Sequence, residues 1–327
     1  MTQTLPNSVV VFGSINMDIT ALVAKAPVPG ETVLGTDLLH NGGGKGANQA
    51  VAAVRAGGMA TTMIGALGED TEGAQLRATL TNFGVDTSLV TTVGGPSGTA
   101  LITVSADGEN SIVVIPGANG SVTGPTGPAQ EALGAAGVIL AQLEVPVAAV
   151  TAAAAAKGPD TKFILNAAPS APLPEQLWQL VDVLVVNEHE AVDMAGHLAN
   201  LRGIPNPGAH DLTQSLDLLL TEVPAVLVTL GGAGSKLLQR GMPLIAQAAA
   251  KVTAVDTTAA GDTFCGVFAA ALASGLSQED ALRRASGAAA LTVQKPGAQG
   301  AIPSHDEVSQ FISQVFERPE LAKGNHA

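Results

Sequence analysis

Asp256-Thr-Thr-Ala-Ala-Gly-Asp262 lies between two runs of contrasting character. Before it stands an extended β-branched and apolar segment, Ala249-Ala-Lys-Val-Thr-Ala-Val255, and after it a run of small residues, Thr263-Phe-Cys-Gly-Val-Phe-Ala-Ala-Ala-Leu272, that reads as a helix. The turn Ala259, Ala260, Gly261 carries almost no side chain, so its N–H groups and the helix N-terminus behind it can face a ligand. Donors in that arrangement bind phosphate. A carboxylate at the edge of an anion site, here Asp262, has a use there as the base that deprotonates a hydroxyl attacking the phosphorus. Taken alone, Ala-Gly-Asp reads as an acid capping a helix behind a tight turn. A second acid, Asp256, and a Gly-rich element near the N-terminus turn the reading towards chemistry.

Working outward, strand-like and helix-like segments alternate. Val9–Phe12 is an apolar run ending at Gly13, as in a central parallel strand. Residues 44–56 and 71–82 read as helices and 60–64 as a strand. Later strands fall at 138–140, 162–165, 183–186 and 226–230, with helices at about 147–157, 175–180 and 211–220. Two long helices, near 263–274 and 279–293, finish the core. This alternation predicts a parallel sheet with helices on both faces. Segments 19–40 and 99–115 break the pattern: both are β-rich without helices, and the second has the form of a hairpin. They predict a small sheet, a lid, over the carboxyl ends of the core strands, where open α/β folds bind ligands. No boundary divides residues 1–327, which are expected to form one domain.

Composition narrows the function classes. Hydrophobic residues make up 46% of the 327 and charged ones 13%, which fits a packed globular chain. Aromatics are 2%, too few for base-stacking platforms. A formal charge of −13, with no Lys/Arg cluster, argues against nucleic acid and anionic membranes as partners. The single cysteine, Cys265, excludes an internal disulfide and reads as a small buried hydrophobe. The start Met1-Thr-Gln-Thr-Leu-Pro-Asn7 has neither the basic nor the apolar region of a secretory signal, so a cytoplasmic protein is expected. None of the six histidines has metal-ligand spacing.

Five further constellations bear on chemistry. Asn16 and Asp18 stand at i and i+2 just past the first strand and point the same way, which suits vicinal sugar hydroxyls; an Asx-turn is the alternative. Asn41-Gly-Gly-Gly-Lys-Gly-Ala-Asn48 fails as a Walker loop, because Lys45 is followed by Gly46, and fails as a dinucleotide fingerprint by its glycine spacing. What remains is a turn whose backbone can approach a polyol, with Asn48 offering donors and acceptors. Glu144 ends a strand. Asn187-Glu-His-Glu190 stands at a strand-to-helix junction, where it could order water around Mg²⁺ and meet triphosphate oxygens, or simply cap the helix. Thr229-Leu-Gly-Gly-Ala-Gly234 suits a nucleotide tail or a hairpin turn.

These segments together resemble the ribokinase/phosphofructokinase-B family of carbohydrate kinases, and within it the ribokinases, over about residues 9–311. Gly13-Ser-Ile-Asn-Met-Asp18, Gly43-Gly-Lys-Gly-Ala-Asn-Gln-Ala50, Gln142-Leu-Glu144, Asn187-Glu-His-Glu190 and Asp256-Thr-Thr-Ala-Ala-Gly-Asp262 occur in the family's order. The resemblance implies a ribokinase-like three-layer α/β sandwich, with a central mostly parallel sheet and a small β-sheet lid. It implies ATP-dependent phosphorylation of D-ribose at O5. A kinase for 2-deoxyribose or another furanose is the nearest alternative, and a non-catalytic sugar sensor another.

By matching motifs, Asn16, Asp18, Gly43, Gly44, Lys45, Asn48 and Glu144 would hold the sugar. Asp262 would be the base, with Ala259, Ala260 and Gly261 as the anion hole. Asn187, Glu190, Thr229, Leu230, Gly231, Gly232, Ala233 and Gly234 would contact ATP and its Mg²⁺. Ser286 stands near the adenine where many members carry Asn. An activating K⁺ would sit among Asp256, Thr258, Thr292, Lys295, Gly297 and Ala301, mostly through backbone carbonyls; Ala301 lacks the hydroxyl or thiol often found there. A homodimer through the lid sheets is implied as well.

Overall fold

Alternate residues of the first strand serve two different cores. Val9 and Val11 point into one apolar cluster, Val10 and Phe12 into another, as the period of two requires of a strand buried on both faces. The structure, a computed structural model, describes residues 7–208 and 211–316; most of the N-terminal stretch on which the localisation expectation rests lies outside them.

From β1 (Val9–Phe12) the chain passes directly into β2 (Asn16–Val23) and β3 (Gly35–Gly43), then returns through α1 (Lys45–Arg55) to β4 (Thr61–Gly68), α2 (Thr71–Asn82) and β5 (Val90–Val93). A hairpin follows, β6 (Gly98–Ser105) and β7 (Asn110–Ile115). The α/β alternation resumes with α3 (Pro128–Ala135), β8 (Val138–Ala141), α4 (Val147–Ala155), β9 (Lys162–Asn166), α5 (Glu175–Leu180) and β10 (Val183–Asn187). Next come α6 (Glu188–Arg202), α7 (Leu212–Glu222), β11 (Ala225–Thr229), β12 (Ser235–Gln239) and β13 (Ile245–Gln247). Three helices close the described chain: α8 (Ala260–Ala273), α9 (Gln278–Thr292) and α10 (His305–Val315).

The main sheet has the order β13-β12-β11-β10-β9-β8-β1-β4-β5. It is parallel except at β12 and β13. The chain lays down β4 and β5 on one side of β1 and β8 to β11 on the other, so the strand order reverses at β1. Loops leaving the carboxyl ends of β1 and β8 part there and open a crevice. One face carries α1, α8 and α9, whose small residues let them pack closely; the other carries α4 to α7. This is the three-layer α/β sandwich expected. The second sheet, β3-β2-β6-β7, is small and separate, and β2 enters it straight from the crevice.

The structure departs from expectation at several places. Residues 249–255, expected only as an extended run, join no sheet; Ala249, Ala250, Val252 and Ala254 line a cavity. Three strands escape the sequence reading. β5 and β13 are short sheet edges of four and three residues, and β12 is an antiparallel strand at the end of a parallel sheet. Periodicity is too brief to register in such segments. The helix α8 begins at Ala260, so Asp262 lies inside its first turn rather than ahead of it.

Candidate active site

Ala259 is the N-cap of α8 and has φ +57°, the one non-glycine residue with positive φ among those described. That conformation is costly for a residue with a Cβ, and it turns the chain sharply so that the first turn of α8 faces the crevice. The Ala260 N–H donates to Thr257 O at 3.2 Å. The loop therefore keeps one of the three expected anion-hole donors for itself. The N–H groups of Gly261 and Asp262 meet no protein acceptor among the described residues, and they carry the positive end of the helix.

Asp262 is 8% exposed. Its Oδ2 accepts from Asn48 Nδ2 and its Oδ1 from Gln49 Nε2, each at 3.0 Å. Both donors come from the first turn of α1, which packs beside α8 across the crevice. The same turn begins with Lys45, whose backbone N–H donates to Glu144 Oε2 at 3.0 Å. Ser14 Oγ donates to that oxygen at 2.6 Å, tying the loop after β1 to the loop after β8. Burial works to lower the pKa of Lys45, but the charges of Asp262, Glu144 and Glu190 outweigh it and hold the ammonium form above its usual range.

Asn16 and Asp18 lie at the root of the small sheet. Asn119 Nδ2 donates to Asn16 Oδ1 at 2.6 Å and to Ile15 O at 3.1 Å, while its Oδ1 accepts from Ile15 N at 2.9 Å. Asp18 pairs across the small sheet with Asn41, two residues from Gly43, and a Cβ on Gly43 would lie 2.0 Å from its Oδ2. Only glycine leaves room for that carboxylate. Burial, followed by the charges of Glu144 and Asp262, raises the pKa of Asp18 to about 7.

Two cavities meet at the head of α8. One, of about 240 Å³, is lined by Lys45, Asn187, Glu190, Ala259, Gly261 and Asp262 among others. The other, about 330 Å³, is mainly apolar and takes in Gly231, Gly232, Gly234, Ala260, Phe264 and Ser286. They share Thr229, Thr257 and Gly261, so a polar chamber runs into an apolar trough past the free N–H groups. Leu230 and Ala233 shape the turn after β11 without lining either cavity.

Asn187 and Glu190 form a full capping box at 2.8 Å both ways. The capping reading therefore holds, and Glu190 faces the chamber as well. Burial, its leading cause, holds the Glu190 pKa above the usual carboxylate range. Cys265, at the chamber wall, is pushed up by burial and by the charge of Asp262, which keeps it a thiol.

Asp256 binds two loops together. Its Oδ1 accepts from the Thr258 N–H and Oγ1, and its Oδ2 from the Gly297 N–H at 2.8 Å. Among the described residues the carbonyls of Thr258, Lys295 and Gly297 accept no backbone hydrogen bond. The side chains of Thr292 and Lys295 are engaged elsewhere, with Ala288 O and with Glu307. Ala301 is buried in a short 3₁₀ turn.

Ser14, Gln49, Asn119, Asn166 and Gln299 belong to this assembly and were not singled out from sequence. Gln49 adjoins Asn48 and could have been found by its motif. Asn119 stands 103 residues from Asn16 and nothing local announces it.

The comparisons agree with this geometry. The model of the pfkB family carbohydrate kinases matches residues 6–305. A ribokinase of Haemophilus influenzae is 36% identical over 308 residues, 92% of this chain and 97% of that protein. One of Staphylococcus aureus is 38% identical over 315 residues, covering 94% of this chain and 100% of the relative. The solved structure of Arabidopsis thaliana ribokinase complexed with ribose and ATP superposes with a TM-score of 0.84 at 33% identity, over 93% of this chain and 98% of that one. The crevice at the strand-order reversal, the carboxylate set in a helix N-terminus and the family match lead to one conclusion: this chain belongs to the pfkB family of carbohydrate kinases.

Proposed function

We propose that the protein transfers the γ-phosphoryl group of ATP to the 5-hydroxyl of D-ribose, giving D-ribose 5-phosphate and ADP. The observation that carries this reading is Asp262 held between two amide donors, one residue from the free Gly261 N–H, where the polar chamber opens into the apolar trough. Full-length ribokinase relatives and a relative's complex with ribose and ATP support the choice of substrates.

On this reading Asn16, Asp18, Asn48 and Glu144 hold the sugar hydroxyls, the Gly43–Gly44 backbone lets the ring approach, and Lys45 meets developing phosphoryl charge. The adenine enters the trough by Ser286, and the turn from Thr229 to Gly234 borders the nucleotide. Asp262 accepts the proton of the 5-hydroxyl as its oxygen attacks, while the N–H groups of Gly261 and Asp262 stabilise the migrating phosphoryl group.

Among the described residues no three His, Cys, Asp or Glu side chains cluster as a metal cage. Mg²⁺ keeps water and phosphate oxygens as its ligands, and Glu190 in the chamber lining would face it. The carbonyls around Asp256 fit a monovalent cation such as K⁺; bound there, it would neutralise charge and stiffen the loop before α8. The described residues act as one domain with the small sheet as lid. Lid strands β3 and β7 leave Leu38, Leu39, Ile112, Val113 and Val114 exposed, an apolar surface that a second copy would cover in a homodimer. A cytoplasmic setting suits these substrates, and no described helix is long and apolar enough to cross a membrane.

The test is coupled ADP release over ribose, 2-deoxyribose, fructose and adenosine, with and without K⁺. Ribose should lead in kcat/KM; another acceptor leading would overturn the assignment.

A further inference from the structure

Two buried amide chains converge on Asp262, and the reaction as proposed uses neither of their far ends. In the first, Gln49 Nε2 donates to Asp262 Oδ1 at 3.0 Å and also to Asn166 Oδ1 at 3.0 Å, while Gln49 Oε1 accepts from Gln142 Nε2 at 2.5 Å. In the second, Asn48 Nδ2 donates to Asp262 Oδ2 at 3.0 Å, and Asn48 Oδ1 accepts from Gln299 Nε2 at 3.2 Å. Gln49 and Gln142 are fully buried and Gln299 nearly so.

The direction of both chains follows from the carboxylate. An ionised carboxylate only accepts, so each amide touching it must present its NH₂. The amide oxygen then faces away and requires a donor, which sets the second amide the same way round. The polarity runs outward until it ends on an oxygen with nothing to accept from. That is the observed pattern: Gln142 Oε1 and Gln299 Oε1 are both buried without a hydrogen-bond partner among the described residues. An orphaned buried acceptor is destabilising, and two of them on two chains that meet at one side chain mark those chains as serving the site rather than the fold.

We infer that Gln49 and Gln142 form a positioning relay for the base: Gln142 fixes the orientation of the Gln49 amide, and Gln49 fixes the plane of the Asp262 carboxylate against the attacking hydroxyl. Neither glutamine lines the chamber or the trough, so both act through Asp262. The inference rests on the kinase reading above. Gln299 does the same for Asn48, and it carries the second chain into the 3₁₀ turn that ends the candidate cation loop.

Two substitutions test it in the full-length protein, each followed by steady-state kinetics with ribose and ATP, calorimetric ribose affinity and thermal unfolding. Gln49→Leu keeps the volume and removes the donor; kcat should fall roughly 10- to 100-fold, the range for losing an outer partner or displacing a reacting group. Gln142→Met removes an orphaned oxygen together with the clamp on Gln49; kcat should fall severalfold while thermal stability holds. In both variants KM and the ribose dissociation constant should stay within about twofold of the parent protein. A merely structural role would instead move KM along with kcat. If Gln49→Leu does not fold, Gln142→Met decides alone. A Gln142→Met kcat within twofold of the parent, or a KM that rises as kcat falls, overturns the relay. A parent protein that does not phosphorylate ribose refutes the kinase reading instead, and the two failures are thereby told apart.

Discussion

Sugar affinity should depend on pH through Asp18, and the dependence can be worked out from the site. Burial and the charges of Glu144 and Asp262 lift this carboxyl to about 7 from an ordinary value of 3.8. Sugar hydroxyls are best held by an ionised carboxylate, which accepts two of them at once. Only the ionised fraction then binds well, and the dissociation constant is multiplied by about 1 + 10^(7 − pH). That factor is roughly 100 at pH 5, about 10 at pH 6 and close to 1 at pH 8. Binding should also release a proton near neutrality, since it favours the charged form.

Isothermal titration of ribose without nucleotide, from pH 5 to 8 in buffers of different ionisation enthalpy, measures both effects. Asp18→Asn should bind weakly and flatten the curve. Stability follows the opposite sign. A carboxyl whose folded pKa is raised binds its proton more tightly when folded, so its contribution is fully present below about 4 and is lost between about 4 and 7. Asp18→Asn should therefore unfold at higher temperature than the parent protein at pH 8. An affinity that does not change between pH 5 and 8 in the parent would refute the argument.

Replacing the base by Asp262→Asn should lower kcat by about 10² to 10⁴ fold and cost about 1–3 kcal/mol of stability, because the new NH₂ must face the NH₂ of Asn48 or Gln49; turnover near that of the parent would remove its role. Gly43→Ala should weaken ribose binding by more than tenfold with little change in KM for ATP, since the added methyl occupies the place of the Asp18 carboxylate; calorimetry decides this. Ala259→Val, a β-branched residue at φ +57°, should destabilise the protein by about 1–3 kcal/mol, whereas Ala259→Gly should be close to neutral, as thermal melts would show. Asp256→Ala should abolish any response of kcat to K⁺, because it releases the Gly297 loop from the Thr258 loop; a retained response would separate the cation from these residues.

The α/β core was legible because Val9–Phe12, Lys162–Asn166 and Val183–Asn187 are apolar on both faces and bounded by polar or glycine residues, which leaves no other stable place for them. The lid hairpin was legible from the turn at Ala106-Asp-Gly-Glu-Asn110. Less could be read where tertiary context overrides local pattern. Residues 249–255 have the composition of a strand, yet they run along a cavity wall where no partner strand lies. The anion hole was foreseen as three amides, but whether an N–H points to a ligand or to Thr257 O depends on ψ angles that composition does not encode. Asn119 and Gln299 stand 103 and 251 residues from Asn16 and Asn48, so no spacing rule connects them to those partners. Asp262 was readable because acid, glycine and helix start are contiguous.

Two of the four crossings between the small sheet and the core run through the very residues proposed to touch the sugar. Asn16 and Asp18 open β2, Gly43 closes β3, and Lys45 follows at once in α1, while Asp262 belongs to a core helix. Neither body alone encloses a sugar. An acceptor of the right shape would act as the bolt that fastens them, and water, too small to touch both, would not. Idle cleavage of nucleotide by water is then discouraged by the architecture itself, before any question of reactivity arises.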